Sequence, residues 1–201
     1  MQEGNGTTPR LILCSGSPRR RELLSDLGLS FEVDTRTSFV EKVPPGLAPE
    51  SVPLYMATGK SLGFHRPLRE GEVLLSADTV VICEGLVLGK PGDRQEAARM
   101  LRLLSGRTHT VVSAIFLRSN EVQYSDSDSA LVTFDEIGEA DIEYYIERCS
   151  PVDKAGAYGI QEWIGLSHIS SIQGSFYTIM GLPTHLVYKA LKRFGLQAAG
   201  R

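Results

Sequence analysis

No apolar run in this chain is long enough to cross a bilayer, and Met1 to Arg10 is polar and glycine-containing, without the apolar centre of a secretory leader. Both absences point to a cytoplasmic protein with no membrane partner. Cysteine is scarce: Cys14, Cys83 and Cys149 are odd in number and lack metal-ligand spacing, so they read as reduced packing residues rather than a disulfide framework. His65, His109, His168 and His185 are scattered with no paired spacing, which argues against a histidine metal site. Positive charge is not in excess either. With 21 Lys and Arg against 24 Asp and Glu, the net charge of -3 gives no reason to expect broad binding to nucleic acid, and any anion site must be local. The glycines of a Walker loop or a dinucleotide fingerprint are missing, and so is a Ser-His-Asp arrangement or a Gly-x-Ser-x-Gly elbow. No linker, repeat or low-complexity tract divides the 201 residues, which read as one domain.

What the chain does have is concentrated early. Leu11-Ile12-Leu13-Cys14-Ser15-Gly16-Ser17-Pro18-Arg19-Arg20-Arg21-Glu22-Leu23-Leu24 reads as a strand, a tight turn of small residues, and a helix with three arginines in its first turn. Ser17 suits the helix cap and Pro18 the first helical position, where its missing amide hydrogen would have had no partner. The amides that follow, with the guanidinium forks of Arg19 and Arg20, suit a phosphate group. The alternative is a solvated basic face, mildly unfavourable because it opposes the helix dipole.

Further along, strands are expected over 31–34, 73–83, 86–88, 109–117, 121–134 and 164–172, with Glu84-Gly85 as a hairpin turn. Helices are expected over 51–65, 93–104, 139–148 and 183–194, and residues 150–161 read as a loop of small residues. Crossovers mixed with hairpins point to an α/β protein with a mixed central sheet flanked by helices.

Asp78 interrupts the strongest apolar strand, where a carboxylate costs several kcal/mol of desolvation unless it is paired, metal-bound or open to a cleft. A structural salt bridge to one of the arginines is one explanation; a general base or metal ligand on a rigid strand is the other. Lys60 and Lys90 gain interest from their company, and the loop leading to Gln161 is rich in small residues, so that backbone can approach a ligand closely. Gln161 can offer an amide edge there.

Taken together, Ser15-Gly16-Ser17-Pro18-Arg19-Arg20, Ala77-Asp78-Thr79-Val80-Val81, Leu88-Gly89-Lys90-Pro91, Leu104-Ser105-Gly106 and Asp153-Lys154-Ala155-Gly156-Ala157-Tyr158-Gly159-Ile160-Gln161 resemble the Maf family of nucleoside triphosphate pyrophosphatases, in the family's order over residues 11–194. The last block is similar to the branch acting on dTTP and UTP rather than that acting on 7-methyl-GTP. The resemblance implies an elongated body with a cleft like that of inosine triphosphate pyrophosphatases. It implies Asp78 as proton acceptor, Arg19, Thr79 and Gln161 as substrate-specificity residues, and Ser17, Arg20, Lys60 and Lys90 as phosphate-binding residues. A divalent cation, magnesium or manganese, is implied as cofactor, with Asp78 and Glu41 as its ligands. The partner implied is a nucleoside triphosphate, with a homodimer as the implied assembly. Two alternatives stand beside this reading: a non-catalytic nucleotide sensor acting on cell division, and a pyrophosphatase preferring a modified nucleotide. The chain departs from the family pattern at Val40, where a second acidic residue is often found, and at Ala57-Thr58-Gly59-Lys60-Ser61, where Ala-Arg-x-Lys-Ala is common. The glycine is a weak helix former in the middle of an expected helix.

Overall fold

The computed structural model describes residues 9–196, so the N-terminal stretch read above lies outside them up to Thr8. Arg10–Leu13 form strand β1, and Pro18–Asp26 form helix α1. As its sequence predicts, α1 opens with Ser17 as cap, the Ser17 hydroxyl accepting from the Arg20 amide at 3.5 Å, and with Pro18 at the first position. Phe31–Val33 (β2), Glu72–Cys83 (β3), Leu86–Leu88 (β4), Thr108–Arg118 (β5), Gln123–Phe134 (β6) and Ile169–Gln173 (β7) complete a seven-stranded sheet. Its order is β2-β1-β3-β5-β6-β7, with β4 also on β3. β1 is parallel to β2 and β3 while every other pair is antiparallel, so the sheet is mixed, as expected.

Register makes β3 the strand that matters for function. β5 covers one edge of it from Leu74 to Ile82. The other edge is shared: β1 pairs with Glu72 to Leu75, and β4 with Val81 to Cys83. Between them, Ser76 to Val80 have no strand on that side. Asp78 and Thr79, the two half-buried residues of an otherwise buried strand, fall in this gap.

Because side chains alternate along a strand, the gap exposes both faces of the sheet. Leu75 and Ala77 pack with Leu23 and Leu24 of α1 and with Val187, Ala190 and Leu191 of the closing helix Thr184–Arg193 (labelled α7 below). Ser76, on the opposite face, gives its hydroxyl proton to the Ala57 carbonyl of helix α2 (Val52–Leu62) at 2.7 Å. Asp78 therefore faces α2 and Thr79 faces α1.

Arg94–Leu104 form α3, capped by Asp93, whose carboxylate accepts from the Glu96 amide at 2.7 Å, and Glu139–Cys149 form α4. Two expectations differ from the structure. Residues 164–172, whose apolar alternation suggests one strand, divide into helix α5 (Trp163–His168) and β7. The alternation there is fortuitous, since Ile164 is buried but Leu166 is 85% exposed. The short helix Phe176–Met180 (α6), unforeseen in the sequence, precedes α7, and the 150–161 loop contains two short 3-10 turns. No helix among the described residues is long and apolar enough to cross a membrane.

Candidate active site

A cleft of about 520 Å³ opens at the gap in β3. All nine residues singled out from the sequence line it: Ser17, Arg19, Arg20, Glu41, Lys60, Asp78, Thr79, Lys90 and Gln161. Cys14 lines it too, but burial, reinforced by Asp34, pushes its thiol up to about 11, which keeps it protonated and unreactive near neutral pH.

On the α2 side, Asp78 Oδ1 accepts a hydrogen bond from Lys60 Nζ at 2.6 Å, so its charge is paired with a lysine rather than with one of the arginines. Glu41 reaches the same ammonium at 3.3 Å. The side chains of Lys60 and Asp78 retain only 13% and 17% exposure, so water screens their attraction poorly. Glu41 is brought there by Phe39, whose ring lies over Gly59. A Cβ on Gly59 would stand 2.3 Å from that ring, which explains a glycine in the middle of α2. The ring also makes an edge contact with Tyr55, and the Thr37 hydroxyl donates to the Lys60 carbonyl at 3.2 Å, holding the loop against the helix.

Two carboxylates meeting at one lysine give a pair of hard oxygen donors at the edge of an anion-sized cleft. That set suits magnesium or manganese, which take the rest of their ligands from phosphate and water. Among the described residues no group of three or more His, Cys, Asp or Glu is gathered, so the protein alone does not complete a metal cage.

On the α1 side the arginines are engaged with the protein. Arg20 directs Nε to the Gly181 carbonyl at 2.8 Å, Nη1 to the Ala77 carbonyl at 2.8 Å and to Ser15 Oγ at 3.1 Å, and Nη2 to Thr79 Oγ1 at 3.2 Å. Four of its five N–H groups are thus committed, and one of them caps a β3 carbonyl left open by the gap. Arg19 forms an ion pair with Asp153 at 2.9 Å, and Arg21 donates to the Gly16 carbonyl at 3.4 Å. Lys90 and Gln161 are exposed along the cleft, and Lys90 has no carboxylate within ion-pair distance among the described residues.

A chain of charges missed in the sequence holds the Gln161 loop. Lys154 is buried between Asp153 at 2.8 Å and Glu162 at 3.1 Å. The Tyr145 hydroxyl donates to Glu162 and accepts the Gly159 amide at 3.0 Å. Gly156, at a φ of +67°, approaches Val81 too closely for any side chain, and its amide is bonded to the Gly89 carbonyl at 3.0 Å. The small residues of this loop were the visible signal; the acid-base chain behind them also needs Tyr145 of α4, the helix that runs directly into the loop, and its pairing is set by how the loop folds back on that helix.

The family model described as Maf-like protein matches residues 10–194. The chain belongs to the Maf family. Among curated Maf relatives, a dTTP/UTP pyrophosphatase of Porphyromonas gingivalis is 50% identical over 188 residues, covering 92% of this chain and 94% of that one. The dTTP/UTP pyrophosphatase of Bacteroides thetaiotaomicron is 44% identical, over 94% of this chain and 98% of its own. A solved HAM1 protein from Coxiella burnetii overlaps at a TM-score of 0.40 and 17% identity, over 63% of this chain and 73% of that one. Both departures from the Maf pattern have a place in the geometry. Gly59 makes room for Phe39, and Val40 stands 76% exposed beside the Glu41 that reaches Lys60.

Proposed function

We propose that this Maf protein is a nucleoside triphosphate pyrophosphatase that hydrolyses dTTP and UTP between the α and β phosphates, releasing the monophosphate and pyrophosphate. The observation that carries the reading is the placement of Asp78: a carboxylate on a rigid strand, in the one open stretch of β3, inside a cleft that also presents Lys60, Lys90 and Arg19. The names and high coverage of the relatives support the choice of substrates.

Lys60 holds Oδ1 of Asp78 and so orients the carboxylate, leaving Oδ2 to take a proton from the attacking water. As that water bonds to the α phosphorus, the bond from phosphorus to the bridging oxygen breaks and pyrophosphate departs. Lys90 faces its negative charge, and Ser17, whose hydroxyl oxygen already accepts from the Arg20 amide, retains its own proton for a phosphate oxygen. A divalent cation held by Glu41 and the substrate phosphates would supply neutralisation of phosphate charge, and Asp78 would join it as a ligand only in place of its role as base. Gln161 presents its amide to the base at the open side of the cleft.

The test is turnover of a panel of nucleoside triphosphates with magnesium or manganese, resolving monophosphate, pyrophosphate and orthophosphate. Monophosphate plus pyrophosphate from dTTP and UTP is expected. In Asp78→Asn, turnover should fall by about 10²–10⁴, the usual contribution of general base catalysis. The variant should stay folded, since Glu41 still faces Lys60. Near-normal turnover in Asp78→Asn would remove the assignment, and UTP bound without hydrolysis would make the cleft a sensor.

A further inference from the structure

Thr79 lies on the cleft wall, and what its hydroxyl can offer a ligand is decided one strand away. Thr79 is paired directly with Ser113 of β5, so both side chains stand on the α1 face. Thr79 Oγ1 lies 2.7 Å from Ser113 Oγ, and Ser113 Oγ lies 2.7 Å from the Thr178 carbonyl. A third contact, from Thr79 Oγ1 to the Gly181 carbonyl, is 3.2 Å.

Two hydroxyls have two protons for these three contacts. The carbonyl has no proton, so Ser113 must donate to Thr178. The proton of the other 2.7 Å contact must then come from Thr79, because two oxygens that close without a proton between them repel. Any other assignment leaves a 2.7 Å pair bare. The Gly181 carbonyl, at the longer contact, has the Arg20 Nε–H at 2.8 Å in any case. The Thr79 proton therefore points into the protein. One lone pair of Oγ1 takes Arg20 Nη2–H at 3.2 Å, and the other is left for the cleft.

We infer that Ser113 is a positioning residue that makes Thr79 a hydrogen-bond acceptor, and only an acceptor, toward the substrate. The inference rests on the reading that the cleft holds a nucleotide against Thr79. It means that the substrate group seated there is a donor, a ring N–H or a sugar hydroxyl, and that an analogue lacking it is rejected. Without Ser113, the Thr79 proton keeps only the longer 3.2 Å contact to a Gly181 carbonyl that Arg20 already occupies, so the hydroxyl can turn to donate into the cleft, and discrimination weakens.

The test compares kcat/KM for UTP against CTP, which lacks the ring N3–H, and for dTTP against its 3'-deoxy analogue, which lacks the hydroxyl. In Ser113→Ala at least one of these ratios should narrow roughly fivefold, as expected for one hydrogen bond. The fold should tolerate the change, because the Thr178 carbonyl keeps the Gly181 amide at 3.2 Å. Ser113→Cys, whose thiol accepts only weakly, should fall between wild type and alanine and provides a near-isosteric second variant. In a Thr79→Val background, Ser113→Ala should change neither ratio further, an outcome that a merely structural serine would not give. Altered ratios in Thr79→Val with unaltered ratios in Ser113→Ala and Ser113→Cys would overturn the inference alone. Unaltered ratios in Thr79→Val would overturn it together with the placement of substrate against Thr79.

Discussion

At the scale of single residues, identity was legible in the sequence but partnership was not. Asp78 stood out because an acid among strand formers needs an explanation, yet nothing local connected it to Lys60, eighteen positions earlier in the chain. The arginines show the converse: their clustering suggested anion capture, but each donates to acceptors of the protein itself. Gln161 poses the sharpest residue-level question, because its amide suits cytosine as well as uracil once flipped. Discrimination then requires that the amide be held in one orientation, so that a wrong base is left with unpaired polar atoms. The Lys154, Glu162 and Tyr145 chain beside it keeps the loop in place. Gln161→Ala should therefore narrow the preference for UTP over CTP in kcat/KM by roughly fivefold, the worth of one hydrogen bond. Unchanged ratios would assign base reading to backbone groups of the loop.

At the scale of elements, strongly patterned segments were legible: β3 from the strand formers on both sides of Asp78, α3 from its cap and period, and the Glu84-Gly85 turn from its composition. Residues 164–172 were not, because apolar alternation over so short a span also arises at the junction of a helical turn and an edge strand. The gap in β3 was equally hidden, since it depends on where β1 stops and β4 begins, which only register decides. Helix α2 carries its own test. Gly59→Ala improves helix propensity by about 1 kcal/mol, but the added methyl meets the Phe39 ring. The protein should lose about 1–3 kcal/mol by urea unfolding, the usual cost of overpacking. Combined with Phe39→Ala, the same substitution should be neutral or stabilising. A stabilising Gly59→Ala in the wild-type background would mean that the ring moves aside freely.

At the scale of the whole molecule, the cleft is assembled from segments spread between Cys14 and Gly181, so global stability and site integrity are linked. His109 sets part of the dependence on pH. It is buried against Phe134 with Nε2 bonded to the Tyr158 hydroxyl at 2.8 Å, and burial lowers its pKa from 6.5 to about 4. The unfolded chain binds a proton there more readily than the folded one, so this contribution is complete above pH 6.5 and is lost as pH falls toward 4. The loss amounts to about 3 kcal/mol at most. His109→Gln should flatten the decline of unfolding free energy across that window, and an equally steep decline in the variant would place its origin elsewhere. The gap in β3 has a consequence for how the protein can change. The proposed proton acceptor, Asp78, and the hydroxyl proposed to meet the substrate, that of Thr79, sit on consecutive residues, pointing to opposite sides of one strand. A single deletion upstream in β3 would turn both through half a revolution, presenting the carboxylate to Arg20 and the hydroxyl to Lys60. Chemistry and selectivity therefore share one hinge of inheritance: surrounding loops can lengthen or vary, while β3 can accept substitutions but not a shift in frame.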